Sequence, residues 1–470
     1  MVHPAFIVLG ALLLGALLLL LPRFFSRTKD TMQIVRGLRA LRSARHADMA
    51  LIAAYHRRFP ASAGTEPLDD RTWRDLDLDE VFLSLDHTAS EPGRQYLYHC
   101  VRSPHCSVEP LARLDRAARS LEADESTANH ARTALCELSD PRAASLDDLL
   151  FGELPRRPRL WWLFPLLTAA SVACLALIAA WPQLVLLWLG ICVVNVGVQV
   201  LYKPRVKRFI PALHELPAFL RVSRALGTLP IADLADESRV LREGAKRFGS
   251  LRLATSWLMF EPEQANELAS SVYEYVNLLF LLDVNAFVFA TESLRNSREV
   301  ARGMFAALGY VDAAQSIAQW RRTLPRWTAP EFTAAQKALH VETLAHPLLA
   351  NAVANCLDVD GSSVLITGSN MSGKTTFVRT LGVNAVLAQT LYTTCASVWR
   401  GPMLRVRTSI QRADSLADGK SYYLSEVESV LELIRAKESG QQHLFLLDEL
   451  FRGTNTTERV AAAYAVLAFL

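Results

Sequence analysis

A chain of 470 residues is long enough for about three domains. It is 51% apolar with a formal net charge of only +3, so membrane segments are worth seeking and a global pull toward nucleic acid is excluded. The seven cysteines (Cys100, Cys106, Cys136, Cys174, Cys192, Cys356 and Cys395) are scattered, which excludes a zinc spacing and a disulfide framework and suits a reducing compartment.

In chain order, residues 5–21 form an uncharged, almost wholly aliphatic run of about 26 Å as a helix. The rival reading is a cleaved signal peptide. It lacks a preceding Lys or Arg and a following small-x-small site, so an uncleaved anchor over 1–27 is the better reading. Arg23, Arg27, Lys29, Arg36 and Arg39 follow the run, which predicts the N-terminus outside and the rest in the cytoplasm.

Residues 28–155 read as a cytoplasmic helical segment. It contains a linker at 60–70, a helix around 79–85, a glycine turn at Gly93 and a helix over 94–102. Amphipathic helix follows over 108–150, with Leu111, Leu114 and Leu121 inward. Residues 160–181 and 183–202 carry no charge and are separated by Pro182, which predicts a transmembrane hairpin over 160–202. Arg156, Arg157 and Arg159 precede it, and Lys203, Arg205, Lys207 and Arg208 follow, so both ends face the cytoplasm of an inner membrane. Asn195 and Gln199, four apart, read as packing groups toward a neighbouring helix rather than as a transport path.

Residues 203–335 continue as helix. The stretch 263–302 has no Gly or Pro and predicts one helix about 60 Å long. Its apolar run at 278–290 is short and broken by Asp283 and Asn285, which predicts a packed core helix rather than another span. Arg321, Arg322 and Arg326, near Pro325, read as a solvated loop, with a phosphate-contacting patch as the alternative.

From 336 to 470 the texture becomes α/β. A short buried strand is expected over 364–367, then Gly368, Ser369, Asn370, Met371, Ser372, Gly373, Lys374 and Thr375, which fit G-x-x-x-x-G-K-[ST]. A helix is expected over 377–391. Backbone N–H groups of such a loop, with the helix N-terminus, close around phosphate, and Thr376 belongs to the same cradle. Lys374 would pair with β/γ oxygens, and the Thr375 hydroxyl would take a Mg²⁺ position. Strands are also expected over 404–408 and 444–447. The second ends in Asp448, placed to hold Mg²⁺, and Glu449, placed to orient or deprotonate water. A polar loop over 414–426 leads into a helix over 424–437, and another loop at 451–457 precedes a helix from 458. The expected fold class is a mainly α-helical lever region with transmembrane helices, followed by an α/β P-loop NTPase domain with ATP and Mg²⁺ as ligands.

Three blocks carry a resemblance to the MutS family, in particular its membrane-anchored branch. "AHPLLANAVANCLDVDGSSVLITGSNMSGKTT" resembles the family's nucleotide block, with His346, Pro347, Asn355, Asn370 and Met371 matching and Ser369 and Ser372 standing where Pro and Gly are usual. "DELFRGTNTT" resembles DEIGRGTST through Asp448, Glu449, Arg452, Gly453, Thr454 and Thr456. "DSLADGKSYYLSE" resembles DDLASGQSTFMVE through Asp414, Leu416, Gly419, Ser421 and Glu426. "DDRTWRDLDL" and "LDHTASEPGRQYL" resemble the start of the family's lever domain.

The resemblance implies an ATPase acting as a homodimer, with Ser421 completing the partner's pocket in trans and DNA as the lever's ligand. Membrane lipid is the further partner. The family's mismatch-reading domain has no counterpart before the lever, and the one formal match to its Phe-x-Glu reader, Phe151-Gly152-Glu153, reads as chance. The sequence ends at Leu470 inside the last expected helix, where relatives continue, so either a truncated product or a crippled enzyme is expected.

Two other functions fit parts of the pattern. An ABC-type exporter half would also join membrane spans to a dimeric ATPase, but the stretch between Lys374 and Asp448 leaves little room for its helical subdomain and no LSGGQ-like signature is present. A non-catalytic nucleotide-binding scaffold at the membrane is the other.

Overall fold

The computed structural model describes residues 49–58, 64–154, 158–248, 267–333, 338–369, 372–410, 422–438, 441–448, 451 and 455–469. The anchor expected at 1–27 lies outside them. The chain divides into two compact units, each assembled from separated segments: Met1–Phe59, Thr88–Tyr96 and Asp124–Ala313 in the first; Pro60–His87, Leu97–Ala123 and Ala314–Leu470 in the second.

The described elements of the first unit are all helices. The apolar pair expected at 160–202 forms helices Leu163–Leu177 and Leu184–Lys207. The second contains a 19-residue apolar stretch, Leu184–Tyr202, long enough to cross a hydrocarbon core. The first has 15 residues, because turns occupy its flanks at 159–162 and 178–183. Trp188 Nε1 donates to Ser171 Oγ at 3.2 Å and joins the two. Their outward faces are large and apolar: Leu186 is 77% exposed and Val193 72%. Water is a poor solvent for such a surface.

The single helix expected over 263–302 is corrected. Helix Glu267–Phe280 ends at Leu281, whose φ is 51°, and helix Leu282–Thr323 leaves at a bend of 66°. The local chemistry explains the break. Asn277 Oδ1 accepts from the Asp283 backbone N–H at 2.9 Å, and Asn277 Nδ2 donates to Asp283 Oδ2 at 2.5 Å. Side chains that bond nearby backbone compete with the helical ladder.

Elsewhere in this unit the Tyr55 ring packs on Phe151 and Phe305 at centroid distances of 5.2 and 5.1 Å. Phe151 thus packs against the aromatic core of this unit. Gly93 also departs from expectation. It lies within helix Glu91–Arg102 rather than in a turn before it. Asp312 holds that helix start by accepting from the N–H groups of Ala89 and Ser90, each at 2.9 Å. A Cβ on Gly93 would come within 2.0 Å of Asp312 Oδ2, so glycine is required by close approach.

The second unit joins helices to two small sheets. Strands β1 (Glu331–Phe332), β2 (Ala338–Leu344), β3 (Asn355–Asp360) and β4 (Val398–Gly401) form a sheet in the order β1-β4-β2-β3. The β1–β4 pairing is parallel and the other two are antiparallel. Strands β5 (Arg405–Ser409) and β6 (His443–Leu447) pair in parallel, from Arg405 opposite His443 to Ser409 opposite Leu447. Both fall where the sequence places them. The expected buried strand at 364–367 does not form. Its residues make no ladder with any described strand, and Leu365 is 82% exposed. A strand needs a neighbour to pair with, and among the described residues β6 pairs only with β5.

Gly93→Ala is expected to lower the unfolding free energy by about 1–3 kcal/mol through overpacking against Asp312. Thermal unfolding of the detergent-solubilised chain checks this; an unchanged midpoint would contradict the close approach.

Candidate functional site

The site is built around the start of helix Lys374–Thr390. Gly373 caps it at φ 90°, ψ 13°, a left-handed conformation that glycine adopts without a steric penalty. The Gly373 carbonyl accepts from Phe377 N at 2.9 Å, and Ser372 N donates to Ser369 O at 3.3 Å, so the loop turns directly into the helix. The first N–H groups of any helix have no partner within it and, with the helix dipole, favour an anion. Lys374 folds back over its own loop. Its Nζ donates to the carbonyls of Gly368 and Ser369, each at 2.8 Å.

The opposite wall comes from β6. Asp448 follows that strand, and its N–H donates to Ser409 O at 3.0 Å, extending the β5–β6 register by one residue. Asp448 Oδ2 accepts from Thr375 Oγ1 at 2.6 Å. The structure thus brings together Gly368, Ser369, Ser372, Gly373, Lys374, Thr375 and Asp448, and Thr376 is exposed beside them. Asn370, Met371, Ser421 and Glu449 lie outside the described residues.

Several side chains that hold this geometry were not singled out from sequence. Helix Lys374–Thr390 is buried from Thr380 onward, and two of its buried polar side chains, Asn384 and Gln389, reach neighbouring segments. Asn384 Nδ2 donates to Ala345 O at 3.1 Å while its Oδ1 accepts from Cys395 N at 2.6 Å. Gln389 bonds both backbone groups of Leu404, at 2.8 and 2.9 Å, just before β5. The far end of β5 is held by Asp75, whose Oδ2 accepts from Thr408 Oγ1 at 2.7 Å and Ile410 N at 2.9 Å. Arg407 in β5 pairs with Asp69 and Glu66, each at 2.9 Å. Asp69 also caps helix Asp70–Asp75 through Thr72 N at 2.7 Å. The only sequence signal for these roles was an amide or carboxylate placed inside an apolar pattern. His346 lies near the same helix, where burial and then the Arg379 charge lower its pKa and favour the neutral imidazole.

The solvated loop expected at Arg321 is a further correction. Arg321 is 1% exposed, pairs with Asp115 at 2.7 Å and donates to Thr393 Oγ1 at 2.8 Å. Its guanidinium lies 4.2 Å from the centre of the Trp327 ring. It is a structural cation that satisfies the chain turn after helix Lys374–Thr390, and it is closed to phosphate. Arg322 and Arg326 remain exposed. Arg321→Ala is expected to cost about 3 kcal/mol, the lower end for a broken buried pair because Arg119 still touches Asp115 at 2.8 Å. Arg322→Ala, which breaks an exposed pair with Glu122, should cost less than about 1 kcal/mol. Equal losses in chemical denaturation would contradict the assignment.

The donor set fits one kind of ligand. Thr375 and Asp448 offer hard oxygen atoms, which suit Mg²⁺. Among the described residues no three His, Cys, Asp or Glu side chains form a metal-sized cluster, so no all-protein cage is present there. Two oxygen ligands beside a lysine and a glycine turn match a cation that takes its remaining ligands from water and phosphate.

Residues 364–470 match the family model of MutS domain V. Two curated relatives, both named DNA mismatch repair protein msh3 and from two strains of Aspergillus fumigatus (CBS 144.89 and ATCC MYA-4609), are each 31% identical over 194 residues. The match covers 39% of this chain and 17% of each relative.

Proposed function

We propose that the chain is a membrane-held ATPase of the MutS family that acts on DNA, a reading supported by the match of residues 364–470 to MutS domain V and by the likeness to the msh3 proteins. The observation that carries the reading is the meeting of Thr375 and Asp448 at 2.6 Å beside Lys374. Lys374 would exchange its two carbonyl partners for β/γ oxygens of ATP, gaining charge-assisted bonds. Gly368, Ser369, Ser372 and Gly373 would offer backbone N–H groups to the same phosphates. Thr375 and Asp448 would hold Mg²⁺, which supplies charge neutralisation at the phosphates. Glu449, next after Asp448, would orient the attacking water and take its proton.

The apolar faces of the helix pair at 163–207 support anchoring in a bilayer, with the site on the cytoplasmic side. DNA comes to this chain from the printed name of the msh3 proteins. The family resemblance adds a homodimer, with Ser421 reaching the partner's nucleotide.

Retention of labelled ATP with Mg²⁺, and phosphate release with and without duplex DNA, test the reading on the full chain. Lys374→Ala is expected to abolish retention. Glu449→Gln should retain ATP and lose turnover. Undiminished retention in the first variant, or normal turnover in the second, would contradict the assigned roles.

A further inference from the structure

We propose that the broken helix at residues 274–290 is a re-entrant hook that dips into the inner leaflet and is gripped there by the hairpin. The inference rests on the reading of the hairpin as membrane-embedded. Three side chains of the hairpin reach the break, and each donates to one of its carbonyls. Gln199 Nε2 donates to Asn277 O at 3.1 Å, Asn195 Nδ2 to Leu279 O at 2.6 Å, and Thr168 Oγ1 to Phe280 O at 2.7 Å. Asn195 is fully buried and Gln199 is 7% exposed. A helix that breaks in water can leave its carbonyls to solvent. One that breaks in hydrocarbon must find donors on its neighbours, as the Leu279 and Phe280 carbonyls do here, while Asn277 O also accepts from Leu281 N at 2.8 Å.

The bonding order gives the path of the chain. Gln199 and Asn195 lie four and eight residues before Lys203, about 6 and about 12 Å along the helix from the basic flank. Asn277 meets the shallower amide and Leu279 the deeper one, so helix Glu267–Phe280 descends as it runs. Thr168, nine residues past Arg159 on the other arm, meets Phe280 at a similar depth. The turn follows at Leu281, fully buried at φ 51°. The return begins at once. Asn285 Nδ2 donates to Thr168 Oγ1 at 2.9 Å, and the Phe287 ring lies 5.8 Å from Phe209, which is beyond Lys203 and outside the apolar run.

The outward side chains suit this depth. Tyr275, 68% exposed, lies just above the shallow amide, at the headgroup level that tyrosine favours. Phe289, 46% exposed, lies on the returning arm. Asp283 is the acidic group at the turn of the hook, and Glu274, exposed, stands at its entry. Asp283 lies in the first turn of helix Leu282–Thr323, where the helix dipole favours an anion, and it accepts from Asn277 Nδ2. The short run at 278–290 is thus too short to span and long enough to enter and leave one leaflet.

The test uses the full chain in vesicles of phosphatidylethanolamine and phosphatidylglycerol that contain a lipid with a diazirine in its acyl chain. Irradiation is followed by mapping of lipid adducts. The proposal expects adducts on 274–290 as well as on 184–202, and none on 301–320. Adducts on 184–202 without any on 274–290 would overturn the hook and leave the hairpin reading intact. No adducts on 184–202 would overturn both. In the double variant Asn195→Leu, Gln199→Leu, adducts on 274–290 should fall severalfold while those on 184–202 are unchanged. Unchanged labelling of 274–290 in that variant would overturn the grip.

Discussion

A threonine hydroxyl and an aspartate carboxylate, 73 positions apart, meet at 2.6 Å. That contact fixes the end of β6 against the start of helix Lys374–Thr390, and the surrounding second unit is arranged to keep it. Gly382 is part of this arrangement, because a Cβ there would come within 2.6 Å of methyl groups on both Leu446 in β6 and Leu76. Gln389 and Asp75 fasten the two ends of β5, so that β6 has a fixed edge to lie on. Two oxygen atoms held this way are preorganised, and a cation bound there would cost little reorganisation at the site.

The first unit obeys a different constraint. Its hairpin shows apolar faces, and its polar side chains turn inward to one another. Ser171, Asn195 and Gln199 are all buried between helices. On the proposed membrane reading, hydrocarbon gives no hydrogen bonds, so each backbone group freed by a helix break would have to be met within the protein. Asn195 and Gln199 donate to carbonyls at the break near Leu281. Their four-residue spacing places both on one helix face.

Much of the second unit was legible in sequence because its signals are local. A glycine-lysine turn with a helix behind it and an aliphatic run ending in acid each fit within a dozen residues. The helices beginning at Lys374 and Tyr422 and strands β5 and β6 follow from such runs. What was not legible depends on distant partners. Arg321 reads as one more surface cation until Asp115 and Trp327 are seen to close around it. Gly93 reads as a turn because nothing near it in sequence announces Asp312. The stretch 263–302 reads as one helix because Asn277 and Asp283 look like ordinary polar positions on its face until they bond each other. The apolar tetrapeptide at 364–367 has the composition of a buried strand, yet strand formation depends on a pairing edge that composition does not reveal.

The central claim is that Asp448 and Thr375 form one cation site that serves a triphosphate held by Lys374. Equilibrium binding of labelled ATP, titrated with Mg²⁺ for the native chain and for Asp448→Asn, tests it directly. The account predicts that Mg²⁺ strengthens ATP binding to the native chain and that Asp448→Asn loses most of that enhancement while retaining magnesium-free binding. The same magnesium dependence in both proteins would contradict it.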